Sequence, residues 1–266
     1  MGKVYLIGAG PGDPELLTVK AARLLEQATI VLHDSLVSRE VLRIIRRSAE
    51  LIDVGKRCGQ KLLTQDEINA LLISFAASHE AVLRLKGGDP VVFGRAGEEI
   101  EALRRAGVAF EIVPGITAAL GAAAVAGISL TDRRTASQIV ITTYSRGSDS
   151  ALADPFAVTP QLNWAAISSS TTLVLYMPGA DYAEVSRRLR DAGQPDDLSC
   201  VIVSNATSAQ QQICWTNVAG LASAAKLAAP ALLIVGRVAT QQVEKIAASR
   251  WRPEPSERPS KHPTIS

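Results

Sequence analysis

Four cations, Lys56, Arg95, Arg133 and Arg134, are the side chains best suited to gather an acidic small molecule. A net charge of only +2 does not oppose such a local pocket. Arg95 and Glu98 stand three apart in Phe93-Gly94-Arg95-Ala96-Gly97-Glu98, so they share a face if a helix begins there. A guanidinium so placed can grip a carboxylate through two parallel hydrogen bonds. Three glycine-containing segments offer another chemistry, backbone brought close to a ligand. The first is Gly8-Ala9-Gly10-Pro11-Gly12-Asp13-Pro14-Glu15-Leu16-Leu17-Thr18. The second is Leu83-Arg84-Leu85-Lys86-Gly87-Gly88-Asp89-Pro90-Val91-Val92-Phe93-Gly94-Arg95-Ala96-Gly97-Glu98-Glu99. The third is Val113-Pro114-Gly115-Ile116-Thr117-Ala118-Ala119. In the second, Asp89 could accept hydrogen bonds from a ribose or an amine. Between the first two lie Asp34, closing the apolar run Ile30-Val31-Leu32, and Val54-Gly55-Lys56-Arg57.

The elements that carry these residues follow from periodicity. In the first half, β-rich runs at Lys3–Ile7, Ile30–His33, Glu50–Asp53, Ala81–Leu85 and Phe110–Val113 alternate with helical patterns. The helices are expected at Thr18–Gln27, Arg39–Ile45, Thr64–Ser78 and Glu98–Ala106, with Thr64 and Glu67 as a capping box. Such alternation predicts a parallel sheet covered on both faces. The second half predicts strands at Ser137–Thr143, Thr172–Tyr176, Ser199–Ser204, Gln212–Thr216 and Ala231–Val235. Its helices are expected at Ala118–Ala126, Tyr182–Asp191 and Asn217–Leu227. The result is an α/β protein of two domains, 1–116 with a parallel sheet and 117–245 with a mixed one, followed by a disordered tail over 246–266. Residues 145–163 read as a mobile loop over the substrate.

Size and composition narrow the function. A chain of 266 residues with 47% apolar content can bury a substantial core. A nucleic-acid binder would carry a stronger basic bias than net +2. Cys58, Cys200 and Cys214 show no paired spacing, and His33, His79 and His262 are scattered, so neither a metal site nor a disulfide framework is expected. The Ala-rich stretch Ala118–Leu130 is too short to span a bilayer, and no leader pattern opens the chain, which places the protein in the cytoplasm. The first glycine segment departs from the dinucleotide-binding pattern: its sixth position is Asp13 rather than Gly or Ala, and Pro11 and Pro14 interrupt the start of the phosphate-binding helix.

Taken in order, GAGPGDPELLT, VGKR, RLKGGDP..FGR.GEE and VPGIT resemble the tetrapyrrole methylases that use S-adenosylmethionine, over about residues 3 to 240. The long KGGDP..FGR.GEE segment points to the members that act on uroporphyrinogen III. The resemblance implies methylation of that substrate at C2 and C7 to give precorrin-2, without metal, nucleic acid or membrane, by a homodimer. It places cofactor contacts on Pro11, Gly87, Gly88, Asp89, Val92, Thr117, Ala118, Met177 and Ala206. It makes Asp34 the proton acceptor, Lys56 the proton donor and Arg95 a catalytic and substrate-binding residue, with Glu98 and Arg133 also on the substrate. The residues themselves leave other roles open: a turn or cap for Asp34, a carboxylate anchor for Lys56, plain core for Met177 and a solvated surface position for Arg133. His33, Ser35, Tyr144-Ser145, Asp132 and Ser204-Asn205-Ala206 depart from the family's usual letters. Three rival functions remain. One is a tetrapyrrole methylase of altered substrate. Another is a Rossmann oxidoreductase, with Asp34 as the ribose-binding acid about 20 residues past the glycines. The third is a cofactor-binding carrier without turnover.

Overall fold

The computed structural model describes residues 1–57, 60–61, 63–144, 162–179 and 181–240. Nearly all of the loop expected over 145–163, the C-terminal tail and Cys58 lie outside the described residues.

Five strands, β1 (Lys3–Gly8), β2 (Ile30–His33), β3 (Glu50–Asp53), β6 (Ala81–Lys86) and β7 (Ala109–Val113), form the first sheet. Its order is β3-β2-β6-β1-β7, and every pairing is parallel. Parallel strands need crossovers, and these supply α1 (Val19–Gln27), α2 (Arg39–Leu42), α3 (Gln65–Ser78) and α4 (Ala96–Arg105). The helices cover both faces. Val4, Leu6, Ile30, Leu32 and Val82 pack with Leu72 of α3 and Leu103 of α4. Ile7, Val31, Leu83 and Leu85 point the other way, to Ala21 and Leu25 of α1 and Val41 of α2. That alternation is why β2 is buried along its whole length. A short hairpin of β4 (Lys56–Arg57) and β5 (Gln60–Lys61) follows β3.

Capping residues set the helix starts. Thr18 accepts from the Ala21 N–H at 3.2 Å. Thr64 and Glu67 form the expected reciprocal box before α3. The helix expected over Arg39–Ile45 is shorter: after Leu42 the N–H groups of Ile44 and Ile45 bond three residues back, a tighter turn that ends where Arg46 N–H reaches the Leu25 carbonyl on α1.

The second sheet runs β11-β10-β12-β9-β8, from β8 (Gln138–Thr143), β9 (Thr171–Tyr176), β10 (Ser199–Ser204), β11 (Gln212–Asn217) and β12 (Ala231–Val235). β8 pairs with β9 in parallel, and the remaining pairings are antiparallel. One face buries α6 (Tyr182–Asp191), and the other buries α5 (Ala118–Val125) through Ala119, Ala122 and Ala123. The helix expected over Asn217–Leu227 does not form. Asn217 still belongs to β11, and its side-chain oxygen accepts the Gly220 N–H at 2.8 Å, closing a turn. Only a 3-10 turn at Leu221–Ser223 follows, anchored by buried Leu221.

Candidate active site

Ligand sites in open parallel sheets lie outside the carboxyl ends of the strands. The carboxyl ends of β1, β2, β3, β6 and β7 carry the first glycine segment, Asp34, Gly55-Lys56, the second glycine segment and Pro114-Gly115 respectively. β6 lies between β2 and β1, so the sheet order differs from that of a dinucleotide-binding fold, in which β2 flanks β1 directly.

The three glycine segments grip one another by backbone. Gly10 and Gly88 exchange two hydrogen bonds, at 3.1 and 2.8 Å, and Ala9 donates to the Lys86 carbonyl at 2.8 Å. A Cβ on Gly8 would lie 2.6 Å from Gly115 and Gly88 backbone, and one on Gly115 would lie 2.3 Å from the Gly88 oxygen. These two glycines are therefore needed for loop against loop. Gly88 differs: its φ is +66°, and a Cβ there would make only ordinary contact with Ala118 N and Thr117 Cα, at 3.6 and 3.9 Å. Asp89 is 9% exposed, and its carboxylate accepts Val91 N–H at 2.9 Å and Gly115 N–H at 3.0 Å. It braces the second segment to the third.

The second sheet closes the far wall. Pro11 packs on α5 at Gly121, where a Cβ would meet the proline ring at 2.7 Å. Asp13 N–H donates to Thr207 Oγ1 at 3.1 Å. Thr117 precedes α5, and its hydroxyl meets the Tyr176 hydroxyl at 2.5 Å; the Ala119 N–H donates to the same Tyr176 oxygen at 2.8 Å. Ala206 is buried beside α5. Phe93, Arg95, Met177, Asn205 and Thr207 all take positive φ, a strained backbone for side chains of this kind. The Phe93 ring lies 5.0 Å from that of Tyr176, and Val91, Phe93 and Met177 expose apolar surface there. Val92, Thr117 and Ala118 are half-buried in the same region.

Asp34 sits where β2 meets β6, its N–H bonded to the Leu85 carbonyl. Its carboxylate accepts from Arg84 Nη2 at 2.5 Å. Arg84 Nε and Lys86 Nζ both donate to Glu99 Oε1, at 2.9 and 2.8 Å. Arg84 and Lys86 are 2% exposed, Glu99 is fully buried, and Asp34 alone of the four reaches solvent appreciably, at 29%. Burial works against the Arg84 charge, but Asp34 and Glu99 hold its guanidinium above its ordinary range. Burial, then repulsion from Arg84, pushes the Lys86 amine down, with Glu99 and Asp34 offsetting only part. Sequence reasoning missed this chain. The available signal was a pair of cations inside a strand otherwise apolar.

The other predicted substrate residues are placed less closely together. Lys56 follows Gly55, whose Cα packs on Ser35, so its backbone lies beside the Asp34 turn; its side chain is outside the described part. Arg95 caps α4 and is gripped by Glu98. Arg133 is exposed on the turn between α5 and β8, and among the described residues it forms no ion pair with Asp34 or Glu98. No three His, Cys, Asp or Glu side chains gather as a metal site among the described residues.

Residues 3–222 match the sequence profile of the tetrapyrrole (corrin/porphyrin) methylases. This chain belongs to that family. The methylase is 46% identical over 259 residues to a uroporphyrinogen-III C-methyltransferase of Paracoccus denitrificans, covering 96% of this chain and 88% of the relative. It is 44% identical to a siroheme synthase of Methylobacillus flagellatus, of which it spans only 53%. A uroporphyrin-III C-methyltransferase of Thermus thermophilus, solved with S-adenosylhomocysteine, superposes at a TM-score of 0.74 with 36% identity, covering 89% of this chain and 93% of that one. A cobalt precorrin-4 methyltransferase gives 0.75 at 29% identity, covering 90% of this chain and 96% of that one. The methylase thus has the two-sheet α/β architecture of its family.

Proposed function

We propose that this methylase transfers methyl groups from S-adenosylmethionine to C2 and C7 of uroporphyrinogen III, giving precorrin-2 for siroheme or cobalamin-type synthesis. The observation that carries this reading is the juxtaposition of two features at the carboxyl end of one sheet. One is the convergence of the glycine segments on the start of α5, where the Gly88 backbone lies against Thr117 and Ala118. The other is a carboxylate, Asp34, held at the neighbouring strand end. The chemistry of this region suits an adenosyl group: Gly88 presents bare backbone, Phe93 and Met177 expose apolar surface, and Asp89 is occupied by N–H groups rather than turned on the ligand. Pro11, Gly87, Gly88, Val92, Thr117, Ala118, Met177 and Ala206 would hold it, with Asp89 acting through the loops.

S-adenosylmethionine supplies an electrophilic methyl group with an excellent leaving group, so the protein's task is alignment, exclusion of water and proton handling. Each methyl transfer to carbon leaves positive charge on the macrocycle, which is relieved by loss of a proton. Asp34 accepts it, and Lys56 returns a proton where one is required. Arg95 and Arg133 hold substrate carboxylates, with Glu98 releasing Arg95 to do so. The division of the chain at 1–116 and 117–245 puts the cofactor between the two sheets. A second copy of the chain would cover the edge strand β8, where Ile139 and Ile141 are exposed. The protein works in the cytoplasm, in keeping with free Cys200 and Cys214.

Mass spectrometry of the tetrapyrrole after incubation with S-adenosylmethionine tests this reading. Two added methyl groups are expected. A precorrin methylated in place of uroporphyrinogen III would assign the altered substrate instead, and binding without any methylation would leave only a carrier.

A further inference from the structure

Below Asp34 runs a line of buried charge that no substrate or cofactor atom needs to touch. Arg84 and Lys86 are two residues apart on β6, so both point to the face covered by α3 and α4. There they meet Glu99 of α4. We propose that the buried Glu99–Arg84 pair positions the Asp34 carboxylate for proton transfer, and that Lys86 balances the charge Glu99 brings into the core. The inference rests on the proton-acceptor role given to Asp34 above.

Three observations support it. First, the guanidinium is fixed on three sides: Nε on Glu99, Nη1 on the Leu85 carbonyl at 3.3 Å and Nη2 on Asp34. A planar fork so held can present only one direction to Asp34, and it holds Oδ1, leaving Oδ2 for the proton. A lysine in its place would be a point charge on a flexible stem.

Second, the arrangement is a poor one for stability alone. Apolar residues of similar volume fill a core at least as well as buried ions. Glu99 takes Arg84, Lys86 and, at 3.4 Å, Gln65 on the same oxygen, while its buried Oε2 has no hydrogen-bond partner. A pair serving the fold would spread its donors over both oxygens.

Third, the line has a direction. Exposure rises from none at Glu99 to 29% at Asp34, so the only member able to exchange protons with a ligand is the last one. Glu99 lies in the first turn of α4 and Asp34 directly follows β2, so a helix start and a strand end are tied to each other through the Arg84 side chain.

The test is methyl transfer in Arg84→Lys and Glu99→Asp, each alone and combined with Asp34→Asn. Glu99→Asp keeps every charge and draws the carboxylate back by one methylene, so it carries the test if Arg84→Lys does not fold. Both should lower kcat by about tenfold or more, with KM and S-adenosylhomocysteine affinity held. In the Asp34→Asn background neither should lower kcat further, because the residue they act through is already disabled. Equal losses in both backgrounds would show a role in the fold alone and overturn the inference, as would an unchanged kcat in Glu99→Asp. If Asp34→Asn itself turns over normally, the acceptor role falls first and the inference falls with it. If Asp34→Asn is disabled and Glu99→Asp is normal, only the inference falls.

Discussion

Glu98 holds Arg95 side-on along one edge of its guanidinium, with Nε and Nη2 each 2.8 Å from a different carboxylate oxygen. Both side chains are about half exposed, and an ion pair in that setting contributes only about 0–1 kcal/mol. A substrate carboxylate can therefore displace Glu98 at small cost and find the fork already oriented by the αL turn at Arg95.

Arg95→Lys keeps the charge and loses the fork. KM for the tetrapyrrole should rise about tenfold with kcat nearly unchanged. Glu98→Gln, which weakens the competing hold, should leave KM equal or lower. Steady-state kinetics on both variants decides the role: a fall in kcat for Arg95→Lys at constant KM would move Arg95 from binding to proton handling.

Gly88 and Gly115 separate ligand from fold. Gly88→Val meets only ordinary contact near α5 but forces a β-branched residue to φ +66°, costing about 1–2 kcal/mol. The variant should fold, melt at a lower temperature and lose S-adenosylhomocysteine binding by calorimetry. Gly115→Ala sets a Cβ 2.3 Å from the Gly88 oxygen and should fail to fold. A folded Gly88→Val protein of unchanged cofactor affinity would remove this loop from the cofactor site.

Much of the fold is legible in the sequence because its signals are local. Short β-rich runs mark the strands of the first sheet, and Thr64 with Glu67 marks the start of α3. Asn217–Leu227 reads as helical because its apolar residues fall at helical spacing, yet the Asn217 side chain closes a turn that a helix cannot share. The glycine segments are visible as motifs, but not the division of labour within them. Gly8 and Gly115 serve each other, and that contact exists only once β1 and β7 are paired. Arg84 and Lys86 are legible as letters, while their burial depends on Glu99 returning over the sheet on α4. No local pattern encodes that meeting.

Asp34→Asn keeps the size of the side chain and removes its basicity. It should cut kcat by about a hundredfold with S-adenosylhomocysteine affinity retained. Arg84 is left with a neutral partner on one side, so the melting temperature should also fall. Single-turnover measurement separates the chemical step from release. A near-normal rate for the bound complex would exclude Asp34 as the proton acceptor.

Asp132 bears on substrate charge. Its carboxyl accepts from the Arg134 side chain at 3.0 and 2.6 Å and from the Arg134 N–H at 2.8 Å, and these bonds hold it down to about 2 from the ordinary 3.8. A carboxyl lowered on folding adds stability that is complete above 3.8 and is lost as pH falls through about 2. Carboxyl NMR titration should therefore find its midpoint near 2, and Arg134→Ala should return it toward 3.8. At working pH the turn thus carries a fixed anion beside exposed Arg133 and ties up Arg134. Asp132→Asn would release Arg134 and remove that anion. For a polycarboxylate substrate, KM should fall severalfold, and the gain should shrink as salt screens it. A KM that does not move at low salt would place this turn away from the bound substrate and take Arg133 with it.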